Sequence, residues 1–210
     1  MTVEARREAM IDSQLRTTGV NDAQVLAAFR AVDRERFVPP AAAPIAYADA
    51  AVDIAPGRVL LEPMVFALLL THARIVPGER VLVVGAGTGY GAAVVAGLGA
   101  EVTALEEDAS LAAAARANGV DVTVGPLAAG WPDGAPYDLI LIDGAVALLP
   151  PALLVQVADG GRLAGVIVGD DGVGRATVGR VAGGRFAGTG FAETGAVVLP
   201  GFARAPAFVF

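Results

Sequence analysis

The 210-residue chain has no cysteine and no lysine, and it holds a single histidine, His72. The absence of cysteine excludes disulfides, thiolate nucleophiles and cysteine-bound metals. The absence of lysine excludes a Walker A phosphate loop and Schiff-base catalysis. A Ser-His-Asp triad would have to combine His72 with Ser13 or Ser110, and both serines lie in helix-like segments. We therefore expect neither triad hydrolysis nor a metal site.

Positive charge is also scarce, because 15 arginines face 22 acidic residues and the net charge is −7. A nucleic-acid-binding surface needs a basic face, so no nucleic-acid partner is expected. The mean hydropathy is +0.60, but the longest uncharged run, residues 81–100, is interrupted by six glycines. No apolar segment follows the charged N-terminus. We expect a soluble cytoplasmic protein without a signal peptide or a membrane span, of undetermined oligomeric state.

Apolar, strand-like runs alternate with helix-like segments from Arg80 onward. The predicted strands are residues 81–84, 102–105, 120–124, 137–143 and 161–168. Continuous apolar strands joined by helices indicate a parallel sheet that is covered on both faces. We predict one doubly wound α/β domain with a mostly parallel, Rossmann-like sheet.

This single domain divides into three predicted parts. They are an N-terminal helical annex and connector (1–63), a cofactor-binding core (64–170) and antiparallel C-terminal strands (171–210). The annex is expected to contain helices over residues 4–18 and 22–36, and the connector a short strand near Val52. The last strand is expected at residues 207–210.

A glycine-rich turn follows the first core strand and opens a helix. It reads Gly85-Ala86-Gly87-Thr88-Gly89. Glycines at this place let a ligand approach the backbone closely, and the N–H groups of the helix start favour polar or anionic groups. The turn lacks the third glycine of a dinucleotide fingerprint, because Tyr90 stands there. A purely structural tight turn is the alternative interpretation.

The next predicted strand ends in an acidic residue, Glu106, which is followed by Glu107. Adjacent strands of a doubly wound sheet end side by side, so a carboxylate there can accept both ribose hydroxyls of a nucleoside. The strand-end position favours Glu106 over Glu107, and a solvated turn is the alternative. A G-x-G-x-G turn with such an acid is typical of an S-adenosylmethionine site, although it does not exclude a nicotinamide site. The predicted cofactor-binding residues are Gly85, Ala86, Gly87, Thr88, Gly89, Glu106 and Glu107.

Further motifs stand in order along residues 8–170. They are Gln14-Leu15, Gly19-Val20-Asn21-Asp22, Val25-Leu26, Phe29, Val32, Arg34-Glu35, Phe37-Val38-Pro39, Ala46-Tyr47 with Asp49, the run 81–90, Tyr137-Asp138-Leu139-Ile140 and residues 148–161. Together they resemble the protein-L-isoaspartate O-methyltransferase family. The resemblance implies that S-adenosylmethionine is the cofactor and that isoaspartyl proteins or peptides are the substrates. It implies methylation of the free isoaspartyl carboxylate in damaged proteins, as a step in their repair.

Three positions depart from the family's pattern. The family's active-site serine, in a Gly-Gln-Thr-Ile-Ser segment, is matched by Leu61, which has no hydroxyl. Nearby Arg58 is a candidate for binding the acceptor carboxylate, or it points to solvent. The family's Gly-Asp-Gly segment is matched from Gly125, which joins the predicted cofactor site, but Pro126 cannot supply the carboxylate that recognises adenine.

The third departure is Asp143, which stands where the family has a small Thr-Ala-Ala-like segment. It is a candidate catalytic base for an acceptor that carries a proton, or a turn residue before glycine. Four hypotheses therefore stay open: an isoaspartyl methyltransferase, the same fold with another acceptor, a non-catalytic binding module and a nicotinamide-dependent oxidoreductase. His72 is expected to be a surface or packing residue.

Overall fold

In the computed structural model of the chain, residues 2–195 and 197–204 are described, and the strand expected at 207–210 lies outside them. The helices are α1 (Val3–Met10), α2 (Ala23–Ala31), α3 (Pro63–Ala73), α4 (Tyr90–Gly97), α5 (Ala109–Ala117) and α6 (Pro151–Leu154). The strands are β1 (Val52–Ala55), β2 (Arg58–Leu60), β3 (Arg80–Val84), β4 (Glu101–Glu106), β5 (Thr123–Val124), β6 (Tyr137–Val146), β7 (Val157–Val168), β8 (Gly174–Ala182) and β9 (Arg185–Thr194).

The main sheet has the strand order β5-β4-β3-β6-β7-β8-β9. The first five strands in this order are parallel, and β8 and β9 continue the sheet antiparallel. From β3 the chain moves outward through β4 to β5 and then returns to β6 on the other side of β3. The strand order therefore reverses between β3 and β6. This arrangement confirms the predicted doubly wound, mostly parallel sheet with antiparallel C-terminal strands.

Alternate residues of β3 pack into two different cores. Val81 and Val83 belong to the cluster that includes the annex and helices α3 and α4. Leu82 and Val84 belong to the cluster on the other face, with residues of β6 and the C-terminal segment. Successive side chains of a strand point to opposite faces, so a strand buried on both faces is apolar throughout. This is why the strand pattern was visible in the sequence.

The annex is more broken than the sequence predicts. The helix expected over 4–18 is α1 followed by a π-helical turn at Ile11–Leu15 and a 3₁₀ turn at Arg16–Thr18. Thr17 and Thr18 donate their hydroxyls to carbonyls three and four residues earlier, and such bonds distort helices. The helix expected over 22–36 is α2, which ends at Ala31 because Val32 is extended. The division of the domain at residues 63 and 170 stays a prediction.

The remaining differences lie at element ends. The strand predicted at 120–124 is shorter and consists of β5, Thr123–Val124. Val120 still caps the end of helix α5, because its N–H donates to the Ala115 carbonyl. The helix expected at 151–157 is the short α6, because β7 already starts at Val157. The connector holds a β1–β2 hairpin rather than one short strand. No helix in the described part of the chain has the length and apolarity to cross a membrane.

The segment after β9 returns to the middle of the sheet. Leu199 N–H donates to the Ala145 carbonyl at 2.8 Å, and Ala147 N–H donates to the Phe202 carbonyl at 3.0 Å. Phe202 is fully buried, and Leu199 is 4% exposed. The C-terminal segment therefore lies against the carboxyl end of β6, beside the predicted site.

Candidate active site

The candidate site lies where the strand order reverses, at the carboxyl ends of β3, β4 and β6. Val84 is paired with Leu105 of β4 on one side and with Ile142 of β6 on the other. The residues that follow these three positions are therefore neighbours in space. In open α/β sheets, ligands bind in the crevice at such a reversal. The structure brings together the glycine turn, Glu106 and Asp143, as the strand pattern predicts.

The glycine turn has a backbone that other residues would not adopt without strain. Gly85, Gly87 and Gly89 have φ angles of +81°, +57° and +98°. The N–H groups of Gly85 and Ala86 donate to the Leu105 carbonyl at 2.9 and 3.0 Å, which ties the turn to β4. Left-handed φ angles are accessible to glycine at little cost. The turn is therefore held in a fixed shape.

Thr88, a predicted cofactor residue, has its hydroxyl engaged elsewhere. It donates to the Phe37 carbonyl at 2.6 Å and the side chain is buried. This bond joins the glycine turn to the annex. The hydroxyl therefore has a packing role in the observed arrangement.

Glu106 is fully buried and accepts five hydrogen bonds. Two come from the guanidinium of Arg58, with Nη1 to Oε1 and Nη2 to Oε2 both 2.6 Å. Three come from the backbone N–H groups of Gly87 (2.7 Å), Glu107 (2.9 Å) and Asp108 (3.0 Å). Burial alone would raise the pKa of this carboxyl, but the hydrogen bonds from Arg58 and the backbone outweigh burial and lower it. Glu106 is thus an ionised carboxylate with its acceptor positions taken.

Arg58 does not point to solvent, which was one of the two interpretations of it. It begins β2, is 5% exposed and forms a bidentate pair with Glu106. Its guanidinium is therefore engaged and does not stand free to bind an acceptor carboxylate. The sequence could not reveal this pair, because its two residues are 48 positions apart and lie on different sheets.

Glu107 and Gly125 lie next to each other at the end of β4. The Glu107 carboxylate accepts a hydrogen bond from Leu127 N–H at 3.2 Å, and Gly125 N–H donates to the Glu106 carbonyl at 3.1 Å. Pro126 begins the short 3₁₀ turn at Leu127–Ala129. These contacts place both predicted residues at the edge of the crevice, and their role in binding stays a prediction.

Asp143 lies near the end of β6 and is 6% exposed. Burial raises its pKa to about 7, although Arg34 and Arg58 lower it and Glu106 raises it. Its carboxylate packs against the backbone of Gly91 in α4, where a Cβ would overlap it. Asp143 is therefore a buried carboxyl in a cluster of charged residues at the strand-order reversal.

Leu61 and Arg34 form the wall of this cluster toward the annex. Leu61 is 2% exposed, and its carbonyl accepts a hydrogen bond from Arg34 Nη2 at 2.7 Å. Arg34 Nε donates to the Ala46 carbonyl at 2.7 Å, and its guanidinium lies 4.8 Å from the ring centre of Tyr90. Arg34 thereby fixes the connector against α4. The sequence offered Arg34 only as part of a motif, and its buried, structural role was missed.

Two apolar side chains lie directly against the glycines. Ile54 Cδ1 is 2.8 Å from the position that a Cβ on Gly87 would take. Leu199 Cδ1 is 2.8 Å from the corresponding position on Gly85, and Leu199 also packs against Gly144. Neither residue lies in a motif, so the sequence gives no sign of its place in the site. The close approach that these glycines allow is thus made by the chain's own side chains.

Comparison with known proteins identifies the family of this chain. The family model described as protein-L-isoaspartate(D-aspartate) O-methyltransferase (PCMT) matches residues 5–175. The chain belongs to this family. A protein-L-isoaspartate O-methyltransferase of Methylorubrum populi is 45% identical over 166 residues, which cover 76% of this chain and 78% of the relative. One of Koribacter versatilis is 42% identical over 164 residues, which cover 75% of this chain and 74% of the relative.

Two solved structures share the fold. A protein-L-isoaspartate O-methyltransferase superposes with a TM-score of 0.78 at 23% identity, covering 95% of this chain and 66% of that one. A Plasmodium falciparum protein of the same description, solved in complex with S-adenosyl-L-homocysteine, gives 0.78 at 20% identity, covering 95% and 98%. Family membership confirms the family, the enzyme class and the fold that the sequence motifs predicted.

The backbone of the site is suited to an adenosyl cofactor, but the side chains that now lie over it leave no place for one. The glycine turn and the strand-end acid have the positions that a nucleoside needs. However, the Glu106 carboxylate is saturated by Arg58 and backbone donors, and Ile54 and Leu199 cover Gly87 and Gly85. In this PCMT-family chain the predicted cofactor site is therefore covered by the chain's own side chains.

A separate cavity of about 620 Å³ lies at the opposite, amino-terminal ends of the strands. His72 and Arg162 are among its lining residues. Arg162 is held by a bidentate pair with Glu79, and His72 stacks on Phe191 with ring centres 4.0 Å apart. None of the predicted site residues lines this cavity, and His72 is an exposed residue there.

Proposed function

We propose that this protein is an S-adenosylmethionine-dependent methyltransferase that methylates the free carboxylate of isoaspartyl residues in damaged proteins. The observation that carries the proposal is the PCMT family match over residues 5–175, together with a relative that is 45% identical. The strand-order reversal with its glycine turn and Glu106 supports the same function. The relative from Plasmodium falciparum, which was solved with S-adenosyl-L-homocysteine, supports the choice of cofactor.

Methylation of an isoaspartyl acceptor requires few catalytic groups from this chain. A carboxyl with an ordinary pKa near 4 is ionised at neutral pH, so no base has to remove a proton. S-adenosylmethionine supplies the methyl group when it is bound. The chain's own task is then to align the acceptor and exclude water, and such positioning can account for most of the acceleration. The absence of a hydroxyl at Leu61 is compatible with that limited role.

A methyl-transfer assay tests the proposal directly. Purified protein is incubated with methyl-labelled S-adenosylmethionine and a peptide that carries one isoaspartyl residue, beside the same peptide with ordinary aspartate. We expect label in the isoaspartyl peptide only, as a methyl ester that is lost in mild base. Equal, background labelling of both peptides would contradict the proposal.

Asp143 favours a second candidate function, methyl transfer to an acceptor that carries a proton. A carboxyl whose pKa is about 7 and that lies at the strand-order reversal is suited to accept a proton at neutral pH. In that case Asp143→Asn would abolish transfer, and the rate for the unchanged protein would rise through pH 7. With an isoaspartyl acceptor, Asp143→Asn should change the rate much less. The pH profile of the two proteins separates the candidates.

Damaged proteins as partners, the absence of nucleic-acid partners and a cytoplasmic location belong to the same proposal. The excess of acidic over basic residues supports the second of these points. Cell fractionation with an antibody to the protein tests the location.

A further inference from the structure

The candidate site is covered by side chains from two separate segments of the chain. We call Ile54, Arg58 and Leu199 the closing residues. Ile54 and Arg58 come from the β1–β2 hairpin, and Leu199 comes from the C-terminal segment. Ile54 lies on Gly87, Leu199 lies on Gly85 and Gly144, and Arg58 holds Glu106.

We propose that Arg58 is an internal competitor for the cofactor, because it occupies the Glu106 carboxylate that would accept the ribose hydroxyls, so that the cofactor binds only after Arg58 has left. This inference rests on the proposed function. It makes Arg58 a residue that determines cofactor affinity without belonging to the acceptor site. Arg58 holds Glu106 in the closed arrangement, whereas an open arrangement would bind the cofactor.

The hydrogen bonds of Glu106 support an exchange of partners. Its carboxylate accepts three hydrogen bonds from backbone donors, Gly87, Glu107 and Asp108, that do not involve Arg58. These bonds fix its orientation toward the crevice. The two bonds from Arg58 are the ones that a pair of hydroxyl donors can replace, since a carboxylate in such a strand-end position accepts both ribose hydroxyls. Ribose and guanidinium therefore exclude each other at the same oxygens.

The β1–β2 hairpin is suited to move away from Glu106. It forms a two-stranded sheet of its own, separate from the main sheet, so side-chain packing rather than strand pairing connects it to the core. Ile54 also lines a cavity of about 350 Å³ between α5 and the annex. Space is thus present into which the hairpin side chains can turn.

The chain is anchored on both sides of this hairpin. Met64 N–H donates to Asp49 at 3.2 Å, and Arg34 donates to the Leu61 carbonyl at 2.7 Å. These contacts hold the base of the hairpin, while Arg58 itself adds the contact to Glu106. Above this base, the hairpin is held by the Arg58–Glu106 ion pair and by the contact of Ile54 with Gly87. Low-stability elements of this kind provide the moving parts of binding sites.

The thermodynamic consequence is a reduced affinity for the cofactor. When only a fraction of the molecules is competent to bind, the apparent dissociation constant is the intrinsic constant divided by that fraction. Breaking a buried, well-formed ion pair is costly, so the open fraction is small. Removal of the guanidinium should raise this fraction and tighten binding.

Titration calorimetry with S-adenosylhomocysteine tests the inference on three proteins: unchanged, Arg58→Gln and Arg30→Gln. Arg30 is the matched control, because it forms an equally bidentate pair with Glu8 on the surface, far from the crevice. We expect Arg58→Gln to bind about tenfold tighter or more than the unchanged protein. Arg30→Gln should bind like the unchanged protein.

The outcomes separate this inference from the proposed function. Equal affinities for the unchanged protein and Arg58→Gln, or weaker binding by Arg58→Gln, would overturn the inference and leave the function intact. Absence of binding by all three proteins, together with no methyl transfer, would overturn both. If Arg58→Gln does not fold, hydrogen exchange of the unchanged protein decides. Saturation with S-adenosylhomocysteine should increase deuterium uptake over residues 52–60, and unchanged or reduced uptake there would refute the exchange of partners.

Discussion

Replacing Glu106 with glutamine measures how strongly the buried ion pair stabilises the fold. The substitution keeps the size of the side chain but removes its charge and replaces one oxygen by an NH2 group. Of the five donors that point at the carboxylate, those at the new NH2 group lose their acceptor. The Arg58 guanidinium, 5% exposed, loses its hydrogen-bonded counterion.

The expected loss is about 3–5 kcal/mol of the free energy of unfolding, the usual cost of removing one partner from a buried pair. Counting the donors gives a similar figure. At least two buried donors lose their acceptor, at about 1–3 kcal/mol each. For a chain of this size the loss corresponds to a melting temperature lower by about 6–20 °C.

Urea denaturation followed by circular dichroism and by the fluorescence of Trp131 provides the assay. The same change at the surface, Glu8→Gln, removes a pair of equal geometry whose side chains are 43% and 42% exposed. Exposed pairs contribute little, so Glu8→Gln should unfold at nearly the same urea concentration as the unchanged protein. A loss of less than about 1 kcal/mol for Glu106→Gln, within the range of exposed pairs, would refute our account of the ion pair.

Acid should reduce the difference between the two proteins. The pKa of Glu106 is lower in the folded state than its ordinary value of 4.5. A carboxyl with a lowered pKa stabilises the fold at pH values above its unfolded pKa, and this contribution is lost as the pH falls through the folded pKa. The advantage of the unchanged protein over Glu106→Gln should therefore shrink as the pH falls below about 5.

Two further predictions concern the neighbourhood of Asp143. Gly91→Ala places a Cβ into the Asp143 carboxylate and should lower the melting temperature. The control Gly97→Ala, whose Cβ would meet Ala28 at an ordinary 3.4 Å, should be neutral or slightly stabilising. Thermal melts test both variants, and equal melting temperatures would contradict the packing of Asp143 against Gly91. Asp143→Asn should be more stable than the unchanged protein at pH 8, because a carboxyl whose pKa rises from 3.8 to about 7 on folding costs up to roughly 4 kcal/mol when it is ionised. The gap should close toward pH 4, and a gap independent of pH would count against a buried, titrating Asp143.

Local patterns made the sheet and the glycine turn predictable. Residues 81–84 of β3 are apolar because the strand is buried there on both faces, and the glycines at 85, 87 and 89 have left-handed φ angles that other residues rarely adopt. The position of Glu106 beside the turn follows from the pairing of adjacent parallel strands. Such constraints act within a few residues or between neighbouring strands, so they can be read directly from the sequence.

The ends of elements were less predictable, since competing local bonds decide them. Thr17 and Thr18 bond back to earlier carbonyls and break the first helix, and the start of β7 shortens α6. The sequence indicates helix in both places. It does not show which of two locally acceptable hydrogen-bond patterns the rest of the molecule supports.

By itself, the sequence determined the family, the doubly wound sheet and the place of the candidate site. Only the tertiary structure decided what stands in that site. Arg58 reaches Glu106 from 48 residues away, and Leu199 reaches Gly85 and Gly144 from the C-terminal segment. No sequence periodicity or motif indicates either contact. An ion pair or an apolar contact requires only that two side chains meet when distant segments pack. The residues at the site can thus be identified from the sequence, whereas the contacts that cover the site form only when distant segments pack together.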